Sequence, residues 1–118
     1  NEAVAQGDLL LIAVDKVPAG YTKVEHPENK QRQLAPGSTP GASHWLDSLD
    51  GVTLYMPEKW GEEGNLNGPC LVVAQERSVG HPTHGAVVID VADTPRVVLC
   101  KYAREFDAEQ QRERRAQD

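Results

Sequence analysis

Three histidines have the most chemistry to offer in this chain. His81 and His84 stand three apart in Gly80-His-Pro-Thr-His-Gly85, and His44 precedes a run of β-prone residues. A turn bounded by glycines can present two imidazoles to one ion. A third imidazole from a neighbouring strand would complete a three-histidine zinc site with one open position. Such a centre could hold a structural metal or lower the pKa of bound water for hydrolysis. The plainer alternative makes His81 and His84 solvated loop residues, with the ring edge of His44 packed beside Tyr55. No carboxylate lies within the turn to act as base or to orient a ligand.

Cys70 and Cys100 sit inside the apolar runs Cys-Leu-Val-Val and Val-Val-Leu-Cys. A reduced thiol there packs as a small hydrophobe, and nothing adjacent in sequence would make it a nucleophile. A cross-strand disulfide between the two is the other option. The chain has no Gly-x-Ser-x-Gly elbow, P-loop, dinucleotide fingerprint, Cys-x-x-Cys or His-Glu-x-x-His. No residue is therefore assigned a catalytic role.

The elements that must position these groups are strands. Asp50-Gly51 between Trp45–Leu49 and Val52–Met56 predicts a two-residue type I′ hairpin. Its register would pair Leu49 with Val52, Asp47 with Leu54 and Trp45 with Met56. Trp45, Leu49, Val52, Leu54 and Met56 would then face the core, and His44, Leu46, Thr53 and Tyr55 would look away. Gly7–Val14 reads as a strand covered on both faces. Asp15–Gly20 reads as a turn leading into a second strand at Tyr21–Glu25, the two strands forming a hairpin.

His26–Gly41 is a long polar connection with a short strand expected at Gln31–Leu34. Pro57–Pro69 is an open stretch around Trp60, which either anchors a partner or folds back on the domain. Further strands are expected at Cys70–Gln75, Ala86–Val91 and Arg96–Tyr102, the last two joined as a hairpin by Ala92–Pro95. Asp107 followed by Gln110 has capping-box spacing, so 107–118 reads as a short, charged C-terminal helix without an apolar stripe.

About seven mostly antiparallel strands and no internal helix predict an all-β fold, a small barrel or a two-sheet sandwich. The 118 residues suit one β domain over 1–106 followed by the charged tail. A net charge of -6, spread along the chain, repels phosphate backbones and weighs against nucleic acid as a partner. Mean hydropathy is -0.52, and no apolar run approaches the roughly 18 residues of a membrane helix. Two cysteines without a secretion signal favour the cytoplasm, and the lack of a membrane-length apolar run argues against a membrane partner.

The chain resembles a group of small bacterial β-barrel proteins. They open with a QGDVLLI-like pattern, carry a GHAH-like element in the middle and an HxxH-G/A-P-I-like element later, and end on a strand and a charged tail. The matching stretches are Gln6-Gly-Asp-Leu-Leu-Leu-Ile12, Gly41-Ala-Ser-His44, His81-Pro-Thr-His84-Gly-Ala-Val and Arg96–Phe106. The resemblance implies no assigned activity. It singles out His44, His81 and His84, the same set that spacing picks out. Ala42 stands where the group has its first histidine, and Pro82-Thr83 stands where it has an acidic pair. Losing a ligand and two carboxylates weakens catalytic use in this chain.

The function expected from sequence is a non-enzymatic protein-interaction or assembly module, contacting another protein or its own copy. Trp60, Tyr55 and Leu66 are the expected partner-binding residues, and no cofactor is needed. The alternatives are a zinc-type site at His44, His81 and His84, and a structural component of a phage or plasmid-borne assembly.

Overall fold

The computed structural model describes residues 2–34, 44–60 and 67–102. Among the described residues nine strands form two antiparallel sheets, and the larger sheet takes the longest apolar runs of the sequence. It contains β1 (Ala3–Gln6), β2 (Leu9–Val14), β3 (Tyr21–Lys23), β5 (Val52–Pro57), β6 (Asn67–Val73) and β9 (Arg96–Tyr102), in the order β1-β2-β9-β6-β5-β3. The smaller holds β4 (Trp45–Leu46), β7 (Arg77–Gly80) and β8 (Val87–Ile89), in the order β4-β7-β8. The all-β expectation holds in its two-sheet form. The large sheet does not close into a barrel among the described residues, and the expected C-terminal helix lies outside them.

The core forms where the sheets face each other. Register places Leu9, Leu11, Leu54, Leu71, Val73, Val98 and Cys100 on the inner side of the large sheet. Leu46, Val79 and Ile89 of the small sheet meet them, and Leu34 seals one end.

Several pairings differ from the sequence expectation, each for a non-local reason. Asp50-Gly51 does make a turn, with the Val52 N–H donating to the Leu49 carbonyl at 3.0 Å. Only Gly51 has positive φ (72°), whereas a type I′ turn requires it at both central positions. Positive φ at the second position alone is the type II pattern, which splays the flanking chains. Accordingly β4 does not pair with β5. It pairs with β7, Trp45 opposite Gly80 and Leu46 opposite Val79, while β5 joins β6 and β3 in the other sheet. The turn is a crossing point between sheets.

The face assignment changes with the pairing. His44 and Leu46 do share a side, as alternation demands, but that side is the core: both are 0% exposed. Leu54 is buried as expected, and Trp45 and Tyr55 are both half-buried.

The Tyr21 strand pairs with β5 and not with β2. The strands at Val87 and Arg96 are not a hairpin. β8 joins β7, and β9 lies between β2 and β6 at the centre of the large sheet. Asn29–Arg32 is a 3-10 turn, and only Gln33 makes a strand-like bridge, to Trp45. Two strands are too short and too little buried to stand out in the sequence, β1 and β7, with four residues each.

Candidate functional site

Gln6, Asp8, His44, His81 and His84 come together at one end of the sandwich, drawn from three separate stretches of chain. β1 and β2 form a hairpin with Gln6 opposite Leu9, leaving Gly7 and Asp8 as the loop. Gly7 has φ 59°, as the first position of a type II′ turn requires. Extending the β4–β7 register by one residue sets His44 opposite His81. The ring centroids of His44 and His81 lie 4.5 Å apart, and those of His81 and His84 lie 4.4 Å apart. His84 continues the column onto Gly7, where a Cβ would come within 2.6 Å of its Cδ2. Glycine there is needed twice, for its φ and for the space.

The hydrogen bonds assign the protons. Gln6, 2% exposed, donates both amide hydrogens, to the carbonyls of Val79 (2.8 Å) and Gly85 (2.6 Å). Its Oε1 must therefore accept, and His44 Nδ1–H donates to it at 2.9 Å. His44 Nε2 lies 2.7 Å from Asp8 Oδ1, with Asp8 about one quarter exposed. A proton is required in that second contact too. It makes His44 an imidazolium beside a carboxylate or Asp8 a carboxylic acid beside a neutral ring. The pair holds one proton between them at the edge of the core, and Gln6 ties it to the end of β7.

His81 has the opposite polarity. Its Nδ1 accepts the backbone N–H of Thr83 (3.1 Å) and of His84 (3.2 Å), with the Thr83 hydroxyl 3.3 Å away. An accepting Nδ1 carries no proton, so the neutral ring is protonated at Nε2.

The structure thus brings all three sequence-selected histidines together. The ring planes are tilted, by 45° between His44 and His81 and by 42° between His81 and His84. Among the described residues no group of three or more His, Cys, Asp or Glu side chains is arranged to hold a metal ion. Sequence reasoning missed Gln6 and Asp8. The available signal was their place beside Gly7 in the Gln-Gly-Asp opening.

The thiols are free and unsuited to nucleophilic attack. Burial pushes Cys70 up to about 11 and raises Cys100 further, so both stay protonated. Cys70 lies opposite Leu99, so Cys100, one residue on, points to the other side of the sheet.

The expected partner-binding residues do not form one patch. Trp60 folds back on the domain, its Nε1–H donating to the Tyr102 hydroxyl at 2.6 Å, and that hydroxyl donates in turn to the Leu34 carbonyl at 3.0 Å. With Met56 and the Glu28–Gln33 segment, Trp60 lines a cleft of about 450 Å³. Tyr55 is on the other side, the outer face of the large sheet, and Leu66 lies outside the described residues.

That outer face is the second distinctive feature. Register arranges it in rows: Val14-Val97-Val72-Thr53, then Ala3-Ile12-Leu99-Cys70-Tyr55-Lys23, then Ala5-Leu10-Lys101-Asn67. Leu10, Ile12, Val14, Val72, Val97 and Tyr55 are each partly open to solvent, whereas Leu99 and Cys70 in the middle row are buried. These rows contain two lysines and no carboxylate, in a chain of net charge -6.

Fold and site together define a two-sheet β domain in which a buried histidine is paired with a part-exposed aspartate under a histidine turn. Residues 5–91 match the family described as a domain of unknown function, DUF8820, and the chain belongs to that family. The matched segment contains all five residues of the histidine cluster and stops short of β9. No curated protein and no solved structure matches the chain. No helix among the described residues is long and apolar enough to cross a membrane.

Proposed function

We propose that this domain is a non-enzymatic protein-interaction or assembly module that docks through the outer face of its large sheet. The observation that carries the reading is the composition of that face. Three rows of side chains across β1, β2, β9, β6, β5 and β3 present mainly aliphatic groups and Tyr55, with Thr53, Asn67, Lys23 and Lys101 as the polar members. A partly exposed apolar surface without carboxylates, surrounding the buried Leu99 and Cys70 on an acidic protein, is the kind of surface a packed protein interface uses. The partner is another protein or a second copy of this chain, laying a sheet or an apolar face across these strands. The neutral thiols and the absence of a recognised catalytic signature are compatible with a binding role.

The test is site-specific photo-crosslinking from position 53 and position 72 in living cells, together with sedimentation of the purified chain over a wide concentration range. A crosslinked dimer or one recurrent heterologous adduct is expected, absent when the same probe is placed at exposed Asp93. Ile12→Asp should abolish it while leaving the circular dichroism spectrum unchanged. A chain that stays monomeric and gives no adduct from either position removes the reading.

A further inference from the structure

The histidine cluster is not absorbed by an interaction surface on the opposite side of the large sheet, and its proton placement has a consequence of its own. The turn Pro82–His84 is held to the end of β7 by His81 Nδ1, which accepts two backbone N–H groups at 3.1 and 3.2 Å. An imidazole that takes a second proton carries N–H on both nitrogens and loses every acceptor function. The same event places a cation between two neighbouring imidazoles, at 4.5 Å from the His44 ring and 4.4 Å from that of His84.

Beneath the turn lies the His44–Asp8 pair, which already contains one proton. His44 is fully buried, and Gln6, which holds its Nδ1–H, also grips the Gly85 carbonyl just beyond the turn. Titratable groups set against His81 include His44 from the segment entering β4 and His84 from its own turn. Asp8 of the β1–β2 loop stands behind His44.

We propose that the 81–84 turn is a proton-released latch. With His81 neutral the turn is closed, its amides bonded to Nδ1 and His84 seated on Gly7. When Nδ1 takes a proton, the Thr83 and His84 N–H groups lose their acceptor. His84 then lifts from Gly7, and the His44–Asp8 pair becomes accessible to solvent. Gln6 stays in place, because its bonds to Val79 and His44 do not involve His81. Opening is therefore local to the turn and leaves the two sheets intact.

The test is a nuclear magnetic resonance titration of the whole chain between about pH 8 and 5, the range in which imidazoles change charge. Nitrogen shifts of the imidazoles give the tautomer, and hydrogen exchange follows the Thr83 and His84 amides. His81 is expected as the Nε2–H tautomer at the alkaline end. Exchange of both amides should accelerate at least tenfold with the midpoint at which the His81 ring titrates. Amides of Val79 and Leu46 should remain protected throughout. In His81→Asn, whose side-chain oxygen can take the place of Nδ1 without titrating, the step should vanish and the turn stay closed at pH 5. An Nδ1–H tautomer at high pH overturns the latch whatever the variant does. So does His81 titrating with no change at Thr83 and His84, or a step that survives in His81→Asn.

Discussion

At the scale of single residues, Gln6 is the keystone of the histidine cluster. Its amide satisfies three partners at once: the buried Val79 carbonyl and His44 Nδ1–H, and the part-buried Gly85 carbonyl. A buried group left without its hydrogen bond costs about 1–3 kcal/mol. Gln6→Leu keeps the volume and removes all three bonds, so a loss of about 3 kcal/mol is expected in urea unfolding. A variant within half a kcal/mol of the parent would mean that water reaches these groups and that the pair is not sealed. His44, His81 and His84 were legible in the sequence as a set because their types and spacing are unusual. Their environment was not. Whether His44 meets solvent or core depends on which strand lies beside it, and that strand, β7, is more than thirty residues away. Gln6 and Asp8 carry only the weak signal of their place beside Gly7, since glutamine and aspartate flanking a glycine fit any surface turn.

At the scale of elements, local pattern and long-range pairing separate cleanly. The apolar runs Leu9–Val14, Cys70–Val73 and Arg96–Tyr102 are read correctly as strands because both faces of the large sheet are apolar. The connections between strands are misread wherever proximity in sequence suggests a hairpin. Asp50-Gly51 is the clearest instance. A turn is present, but its backbone takes positive φ at Gly51 alone, and the two arms depart into different sheets. The consequence is an asymmetric response to mutation. Gly51→Ala forces a Cβ into the left-handed region and against the side chain of Gln75, a cost of about 1–3 kcal/mol. Asp50→Ala should change stability by less than about 0.5 kcal/mol, because Asp50 is exposed and has ordinary φ. Comparable losses for both substitutions would restore the type I′ geometry and the β4–β5 hairpin with it.

At the scale of the whole molecule, the large sheet separates an aliphatic inner side from an outer side that is apolar yet partly open, and the chain's ionisable thiols and phenols are built into it. Cys70, Cys100, Tyr21 and Tyr102 lie on β3, β6 and β9, and burial raises all four. Desolvation is the leading cause in every case, with nearby thiolate charge adding at Tyr21. Cys70 moves from 9.0 to about 11, and Tyr21 from 10.0 to about 12. The native state thus keeps protons that the unfolded chain surrenders. In that interval the unfolded state binds fewer protons, so stability falls as pH rises. It is at its full value below pH 9.0 and declines through the interval ending near pH 11 for Cys70 and near 12 for Tyr21. Urea midpoints measured at about pH 8, 9.5 and 10.5 should therefore decrease in order. Cys70→Val, which removes one titrating group at similar volume, should flatten the decline between the last two. A midpoint that stays level to pH 10.5 would mean that the thiols ionise freely. The centre of the large sheet would then be wet, and the docking surface laid over it would lose its foundation.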